Sequence, residues 1–198
     1  MDKNAYIFIG QSGSGKGTQV ALLIEALQRE GKGETLYLET GRRFRELIQQ
    51  ELYTAKKTKE LMDKGVLPPP FLGIHAWTHF LIEEYNGESH VIMDGTPRVP
   101  AEVPVLLSAV RFYGWTPHVI SLEVGDKWAQ ERMHGRGRSD DTDSEKVARR
   151  IEWYHGSVIP TIDLLKASPD VIFHAINGEQ SIEAVHADIC RALGVLTS

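Results

Sequence analysis

The chain has 198 residues, of which 41% are hydrophobic and 25% are charged, a composition typical of a globular protein with one sizeable core. Its net charge of −5 argues against binding of nucleic acid or anionic membrane by bulk electrostatics. The single cysteine, Cys190, excludes an internal disulfide and a cysteine-ligated metal, and every apolar run is too short to span a bilayer. We therefore expect one domain over residues 1–198, monomeric and cytoplasmic, with no nucleic acid or membrane partner.

Five short β-type runs alternate with helical or polar segments along the chain. This alternation predicts an α/β fold, with a five-stranded parallel sheet, helices on both faces and right-handed crossovers. In such sheets the ligand lies beyond the carboxyl ends of the strands, so the residues that directly follow each strand are the first candidates for a site. The predicted strands are Tyr6–Ile9, Thr35–Leu38, His90–Met93, Val119–Val124 and Val171–Ile176.

A glycine-rich run, Gly10–Gln19, connects the first strand to an apolar-periodic helix over Val20–Leu27. Its spacing, Gly, four residues and Gly-Lys, lets successive backbone N–H groups turn inward around a polyphosphate, because no Cβ obstructs them. The helix directs its positive N-terminal end at the same anion, and Lys16 adds a mobile positive charge. The usual pattern next has Ser or Thr to hold magnesium, whereas this chain has Gly17.

Between the second and third strands, the chain departs from simple alternation. Two short helices are predicted over Arg42–Leu52 and Thr58–Lys64, closed by Gly65 and by a proline run over 68–70 that also starts the next helix. We interpret residues 39–70 as a small inserted lobe.

A turn with the sequence Asp94-Gly95-Thr96-Pro97-Arg98 follows the third strand. A carboxylate at this strand end can hold the waters of a magnesium ion beside the phosphate loop, and Arg98 projects into the same crevice. The alternative is that Asp94 only caps the turn before Gly95.

A short polar loop at about residues 136–142 separates a predicted helix, Asp126–Arg136, from a long helix that opens at Thr142. The loop is short enough to act as a flap that closes over a site at the sheet edge and excludes water from it. Adjacent carboxylates in a polar loop rarely converge on one bond. We therefore expect Asp140 and Asp141 to hold the flap by pairing with arginines.

These motifs together resemble the adenylate kinase family and its nucleoside monophosphate kinase relatives, over essentially the whole chain. The glycine-rich run is similar to the P-loop of that family, including the Gly that follows its Lys. Five further segments resemble motifs of the family. Thr40–Arg45 resembles Thr-Gly-Asp-x-x-Arg, Asp94–Arg98 resembles Asp-Gly-Phe-Pro-Arg, and Glu131–Arg136 resembles a helix with two arginines. Arg138–Asp141 resembles Arg-x-Asp-Asp, and Arg150–His155 resembles Arg-Leu-x-x-Tyr-His.

The resemblance implies a P-loop NTPase fold with a short lid and no zinc, and phosphoryl transfer from ATP to a nucleoside monophosphate, with AMP the first choice and Mg²⁺ held through water by Asp94. The implied catalytic residues are Lys16, Arg98, Arg132, Arg138 and Arg150. The implied ATP-binding residues are Gly13, Ser14, Gly15, Lys16, Gly17, Thr18, Arg132, Arg136 and Ala175. The implied residues for the monophosphate are Thr40, Arg45, Val66, Leu67, Pro68, Gly95, Thr96, Pro97, Arg98, Glu102, Arg138 and Arg150.

A series of arginines also suits this chemistry on physical grounds. An acceptor phosphate is already anionic, so the site needs no general base; it must bring two anions together and neutralise the moving phosphoryl group. Arginine is suited to this because its planar fork binds phosphate oxygens in pairs and keeps its proton.

Three substitutions in the acceptor motifs bear on which monophosphate is used. Arg42 replaces the usual Asp, Thr96 the usual Phe, and Glu102 stands where adenylate kinases usually carry Gln. Because an ionised Glu only accepts hydrogen bonds whereas Gln also donates, we hypothesise that Glu102 shifts or broadens acceptor choice away from strict AMP.

Three alternatives remain at this level: a kinase that prefers GMP or UMP/CMP, a small-molecule kinase with a hydroxyl acceptor such as a sugar acid, and a weakly active regulator that binds nucleotides. The hydroxyl acceptor would require a carboxylate base and fewer arginines.

Overall fold

The computed structural model describes residues 3–64, 66–135 and 144–196. Five strands form one sheet in the order β2-β3-β1-β4-β5, and every pairing between neighbours is parallel, which confirms the predicted fold class. The strands are β1 (Asn4–Gly10), β2 (Thr35–Glu39), β3 (His90–Asp94), β4 (Thr116–Glu123) and β5 (Ile172–Asn177).

The helices of the described residues cover both faces of the sheet. They are α1 (Lys16–Arg29), α2 (Thr40–Leu47), α3 (Tyr53–Asp63), α4 (Pro70–Glu84), α5 (Val103–Tyr113), α6 (Asp126–Gly135), α7 (Ser144–Trp153), α8 (Ile159–Ala167) and α9 (Ile182–Leu193), with a 3₁₀ turn at Pro100–Glu102 and a π-helical segment at Tyr154–Val158. In the described part of the chain, no helix combines the length and apolarity that crossing a membrane requires.

The sheet divides the main core into two clusters, because successive residues of a strand face opposite sides, and a third, small cluster of Ala129, Met133 and Val147 lies between α6 and α7. From β1, Ile7 and Ile9 pack in one cluster with α4, α5 and α8, whereas Tyr6 and Phe8 pack in the other with α1 and α9. Strand β1 lies in the middle of the sheet and is buried on both faces, which explains its continuous apolar sequence.

The helices of the inserted lobe were predicted at the wrong bounds. The predicted helix Arg42–Leu52 runs over Thr40–Leu47 in the structure, and the predicted helix Thr58–Lys64 runs over Tyr53–Asp63. The short α2 buries only Thr40 and Phe44. Helix α3 starts at Tyr53, beside Leu52, and both of these apolar side chains are exposed, so the start of the helix carries no core-facing periodicity. The predicted opening of a long helix at Thr142 and the flap at 136–142 lie outside the described residues.

Three buried or half-buried histidines, His90, His118 and His174, lie near the amino ends of their strands. His118 stacks on Tyr6 on one side and on His174 on the other, where Nδ1 of His118 and Nε2 of His174 are 3.1 Å apart. Nε2 of His90 bonds the backbone oxygen of Lys32. Burial lowers the pKa of all three histidines, and with the neighbouring His174 it lowers the pKa of His118 to about 4.

Because of these histidines, we expect the free energy of unfolding to fall in mild acid. Between the folded pKa of His118, about 4, and its ordinary value of 6.5, the unfolded chain binds more protons, so stability rises with pH over this window and levels off above it. His118→Phe keeps an aromatic ring for the stack but cannot titrate. We expect a smaller difference in urea midpoint between pH 5 and pH 7 for this variant than for the wild type.

The control is His134→Gln, which removes an exposed histidine on α6 and should keep the wild-type difference. Equal differences for His118→Phe and the wild type would contradict the prediction.

Candidate functional site

A cavity of about 730 Å³ opens where the carboxyl ends of β1, β2 and β3 meet the inserted lobe and the helices α6 and α7. This is the edge of a parallel sheet at which ligands bind. Most of the residues that the motifs nominated line it together. They are Gly13, Ser14, Gly15, Lys16, Gly17, Thr18, Arg45, Val66, Leu67, Pro68, Asp94, Arg98, Arg132 and Arg150.

Other nominated residues are not among the described residues that line the cavity. They are Thr40, Gly95, Thr96, Pro97, Glu102 and Ala175. Arg136 and Arg138 lie outside the described residues. Ala175 lies inside β5, which continues to Asn177, so the residues that reach the cavity from this strand end are Gly178 and Gln180.

The phosphate loop packs closely against neighbouring backbone at its glycines. Gly13 has a φ of +88°, and a Cβ there would lie 2.4 Å from the carbonyl oxygen of Ala129 on α6. Gly178, on the far side, would bring a Cβ within 2.6 Å of Val124 and 3.6 Å of the Ser14 oxygen. Only backbone without side chains allows β1, α6 and the β5 loop to meet here.

Helix α1 begins at Lys16, and Gly15 stands at its N-cap position with a φ of +94°. Lys16, Gly17 and Thr18 line the cavity, so the N–H groups of the first helical turn are available to an anion there. Nζ of Lys16 donates to the backbone oxygens of Gly10 and Gln11, at 2.9 Å each, which holds the ammonium group over the loop.

Asp94 is a buried carboxylate, 9% exposed, at the end of β3. Burial raises its pKa, while the nearby charges of Lys16 and Arg98 act in the opposite direction. Tyr37 donates from its hydroxyl to Oδ2 of Asp94 at 3.3 Å. A Cβ at Gly17 would lie 3.7 Å from the same oxygen, an ordinary van der Waals contact, so the phosphate loop passes close to this carboxylate.

This arrangement fits a hydrated magnesium ion. Mg²⁺ prefers oxygen ligands, keeps several waters and is commonly held through one or two carboxylates beside substrate phosphates. In the described part of the chain, no group of three or more His, Cys, Asp and Glu side chains could hold a metal ion directly. Asp94 is therefore suited to a water-mediated contact and not to a cage of protein ligands.

The guanidinium of Arg98 packs over its own turn. Its Nε donates to the backbone oxygen of Gly95, and Gly95 has a φ of +74°, a left-handed backbone conformation that favours glycine. Burial lowers the pKa of Arg98, opposed by Asp94 and Glu102, but a guanidinium stays protonated in any protein.

Arg45 and Arg98 approach each other across Gly41. A Cβ on Gly41 would lie 3.3 Å from Nη1 of Arg45 and 3.9 Å from Nη2 of Arg98. The missing side chain leaves a concave space between two guanidinium groups, which suits a phosphate monoester. Beside it, the hydroxyl of Thr40 is buried without a hydrogen-bond partner among the described residues.

Glu102 holds the turn that carries Arg98. It is 4% exposed, and its Oε2 accepts hydrogen bonds from the Arg98 backbone N–H at 3.1 Å and from the Thr96 hydroxyl at 3.4 Å. Its Oε1 lies against Gly73 of α4, where a Cβ would come within 2.8 Å. Burial raises the pKa of Glu102.

Sequence reasoning missed several lining residues, among them Tyr37, Trp128, Arg149 and Trp153. Trp128 could have been found, because it precedes Arg132 by four residues on the same helix and the Arg132 guanidinium lies 4.9 Å from its ring centroid. Tyr37 carries no local signal, since its importance depends on β2 lying beside β3. Glu39 directly follows the predicted strand Thr35–Leu38 and is a candidate on that ground.

Comparison with known proteins gives matches over nearly the whole chain. A family model described as adenylate kinase matches residues 8–169. The chain is 32% identical over 192 residues to an adenylate kinase from Prochlorococcus marinus, covering 96% of this chain and 99% of that protein. It is 30% identical over 189 residues to adenylate kinase 1 from a Nostoc species, covering 95% and 97% of the two chains.

The geometry of the phosphate loop predicts that two glycine substitutions lower the free energy of unfolding by different amounts. Gly15→Ala forces a left-handed backbone with no atom within 4 Å of the new Cβ, so we expect a loss of about 1–2 kcal/mol in unfolding free energy. Gly13→Ala has the same strain and also overlaps the Ala129 oxygen. We expect a clearly larger loss in urea denaturation, and equal losses for the two variants would contradict this.

Proposed function

This chain belongs to the adenylate kinase family, and from this membership and the cavity geometry we propose that it transfers a phosphoryl group reversibly from ATP to AMP, giving two ADP. The reaction class, nucleoside monophosphate phosphotransfer, comes with the family. The proposal concerns the acceptor and the residues that act. The observation that carries it is one cavity with a phosphate loop on one wall and paired arginines around Gly41 on another.

On the donor side, the backbone N–H groups of residues 13–18 would bind the ATP phosphates, and Lys16 would follow the transferred group from its position over the loop. Arg132 on α6 and Arg150 on α7 line the same cavity and would neutralise charge on the moving phosphoryl group. Arg136 and Arg138 complete this set in the proposal.

On the acceptor side, Arg45 and Arg98 would hold the phosphate of the monophosphate, with the Thr40 hydroxyl as a further donor. Apolar atoms of Val66, Leu67 and Pro68 line the cavity on the side of the inserted lobe and would contact the base. The acceptor phosphate is ionised, so no side chain has to remove a proton from it.

Asp94 would hold Mg²⁺ through water, between the phosphate loop and the acceptor arginines. A magnesium ion bound there supplies positive charge to the donor phosphate oxygens. Tyr37 fixes the orientation of Asp94, since its hydroxyl donates to Oδ2. Burial of Asp94 beside Lys16 places opposite charges next to each other, away from bulk water.

We also propose that the enzyme is a cytoplasmic monomer without nucleic acid or membrane partners. The net charge of −5 offers no bulk attraction for polyanions, so nucleotide binding depends on the cations gathered in the cavity.

Lys16→Met tests the donor side of the site. We expect kcat to fall about 10²- to 10³-fold, since a charge that stabilises the transferred phosphoryl group is removed, with an unchanged far-UV circular dichroism spectrum. The measurement is a coupled assay with ATP and AMP. The control is Lys127→Met, an exposed lysine on α6 outside the cavity lining, which should keep wild-type turnover. Near-normal turnover of Lys16→Met would refute the assignment.

Glu102→Gln tests acceptor choice. Glu102 is buried and does not line the cavity, so it would act on acceptor choice through the turn of Arg98, whose backbone N–H and Thr96 hydroxyl donate to its Oε2. An amide there carries an N–H donor in place of one acceptor oxygen and would change how this turn is held. We expect the wild type to use AMP first but to accept other monophosphates, and the variant to narrow this range towards AMP. Relative kcat/KM values for AMP, GMP, CMP and UMP measure it.

Glu83→Gln, an exposed carboxylate on α4, is the matched control and should leave the ranking unchanged. An unchanged ranking in Glu102→Gln would remove Glu102 from acceptor selection.

A further inference from the structure

The last residue of strand β2, Glu39, forms an ion pair with Arg45, one of the two arginines proposed to bind the acceptor phosphate. Oε1 of Glu39 lies 2.6 Å from Nη2 of Arg45, a hydrogen-bonded ion pair. The Glu39 side chain is 27% exposed and that of Arg45 is 51% exposed, so water reaches the pair but does not surround it. Both residues line the cavity.

The position of this pair coincides with the space offered to the acceptor phosphate. A Cβ on Gly41 would lie 3.3 Å from Arg45 Nη1, 3.7 Å from Glu39 Oε1 and 3.9 Å from Arg98 Nη2. One carboxylate and two guanidinium groups therefore surround the same glycine. Carboxylate and phosphate oxygens bind the guanidinium fork in the same way, so Glu39 and an incoming phosphate compete for Arg45.

We propose that Glu39 is an internal competitor for Arg45, which pairs with this arginine before the acceptor binds and must release it to the acceptor's phosphate. The inference rests on the proposed function, in which Arg45 holds that phosphate. Glu39 thereby weakens acceptor binding and leaves the ATP phosphates unaffected. It also discriminates among anions: a dianionic phosphate monoester with its base bound in the lobe displaces the carboxylate, while a small monoanion does not.

The location of Glu39 favours its pairing with Arg45 when no acceptor is bound. Glu39 and Asp94 are register neighbours on β2 and β3, so the released carboxylate stays beside a second carboxylate at the same sheet edge. Their mutual repulsion favours the pairing of Glu39 with Arg45 whenever no phosphate is present. The pairing of Glu39 with Arg45 is therefore favoured, by a modest amount for so exposed a pair, until an acceptor phosphate displaces the carboxylate.

A second carboxylate near α2 provides a matched control. Glu46 pairs with Arg42 at 2.9 Å and with Arg43 at 3.2 Å, and none of these three is among the described residues that line the cavity. Glu46→Gln removes the same charge from the same region of the lobe without touching Arg45.

The experiment measures initial rates against AMP concentration at saturating ATP for the wild type, Glu39→Gln, Glu46→Gln, Arg45→Ala and the double variant Glu39→Gln/Arg45→Ala. Partly exposed ion pairs contribute little, so we expect Glu39→Gln to lower the KM for AMP about three- to tenfold, with a smaller change in kcat and none in the KM for ATP. Glu46→Gln should match the wild type. In the Arg45→Ala background, Glu39→Gln should have no effect on the KM for AMP.

An unchanged or raised KM for AMP in Glu39→Gln would overturn the inference, since a raised value would mean that Glu39 orients Arg45 productively. An equal decrease in the presence and absence of Arg45 would also overturn it, because the carboxylate would then act by general repulsion. Urea midpoints of all variants identify any that fail to fold. If Glu39→Gln is among them, Glu39→Ser replaces it.

The same data separate the inference from the proposed function. If the wild type does not phosphorylate AMP, the proposed function fails. If the wild type is active and Arg45→Ala raises the KM for AMP at least about tenfold, while Glu39→Gln changes nothing, only the role of Glu39 fails.

Discussion

The close contact of side-chain-free backbone around the phosphate loop is the constraint on which the rest of the site depends. Gly13 packs against the Ala129 oxygen of α6, and Gly178 packs against Val124 and comes near the Ser14 oxygen. These contacts fix the end of β1 against α6 and the β5 loop. Lys16 and the first turn of α1 are placed by that arrangement, and the remaining residues of the cavity are positioned relative to them.

A hydrogen-bonded chain extends this rigid centre towards the arginine-bearing helices. Nε2 of Gln11, in the phosphate loop, donates to Asp126 at the start of α6 at 2.9 Å, and Nε2 of His155 lies 3.0 Å from the same carboxylate. His155 belongs to the π-helical segment that follows α7. The helices that bear Arg132 and Arg150 are therefore joined to the phosphate loop through one carboxylate.

Positive charge is concentrated in the cavity of a chain whose net charge is negative. With a net charge of −5, the protein still gathers Lys16 and five arginines on the walls of one cavity: Arg45, Arg98, Arg132, Arg149 and Arg150. Such a cluster would repel itself, and Asp94 and Glu39 offset part of it. In our proposals these two carboxylates have separate roles: Asp94 would hold a hydrated cation, and Glu39 would compete with an anion for Arg45.

The sequence by itself determined the alternation of strands and helices, the phosphate loop and the turn from Asp94 to Arg98. These features can be predicted from sequence because they depend on local periodicity, on glycine spacing or on the residue that follows a strand. Only the tertiary structure decided which side chains meet. Glu39 lies beside Asp94 through the pairing of β2 with β3, and Gly178 lines the cavity whereas Ala175 does not, because β5 continues to Asn177. Contacts across strands and between helices depend on how elements pack, and no local pattern records that packing.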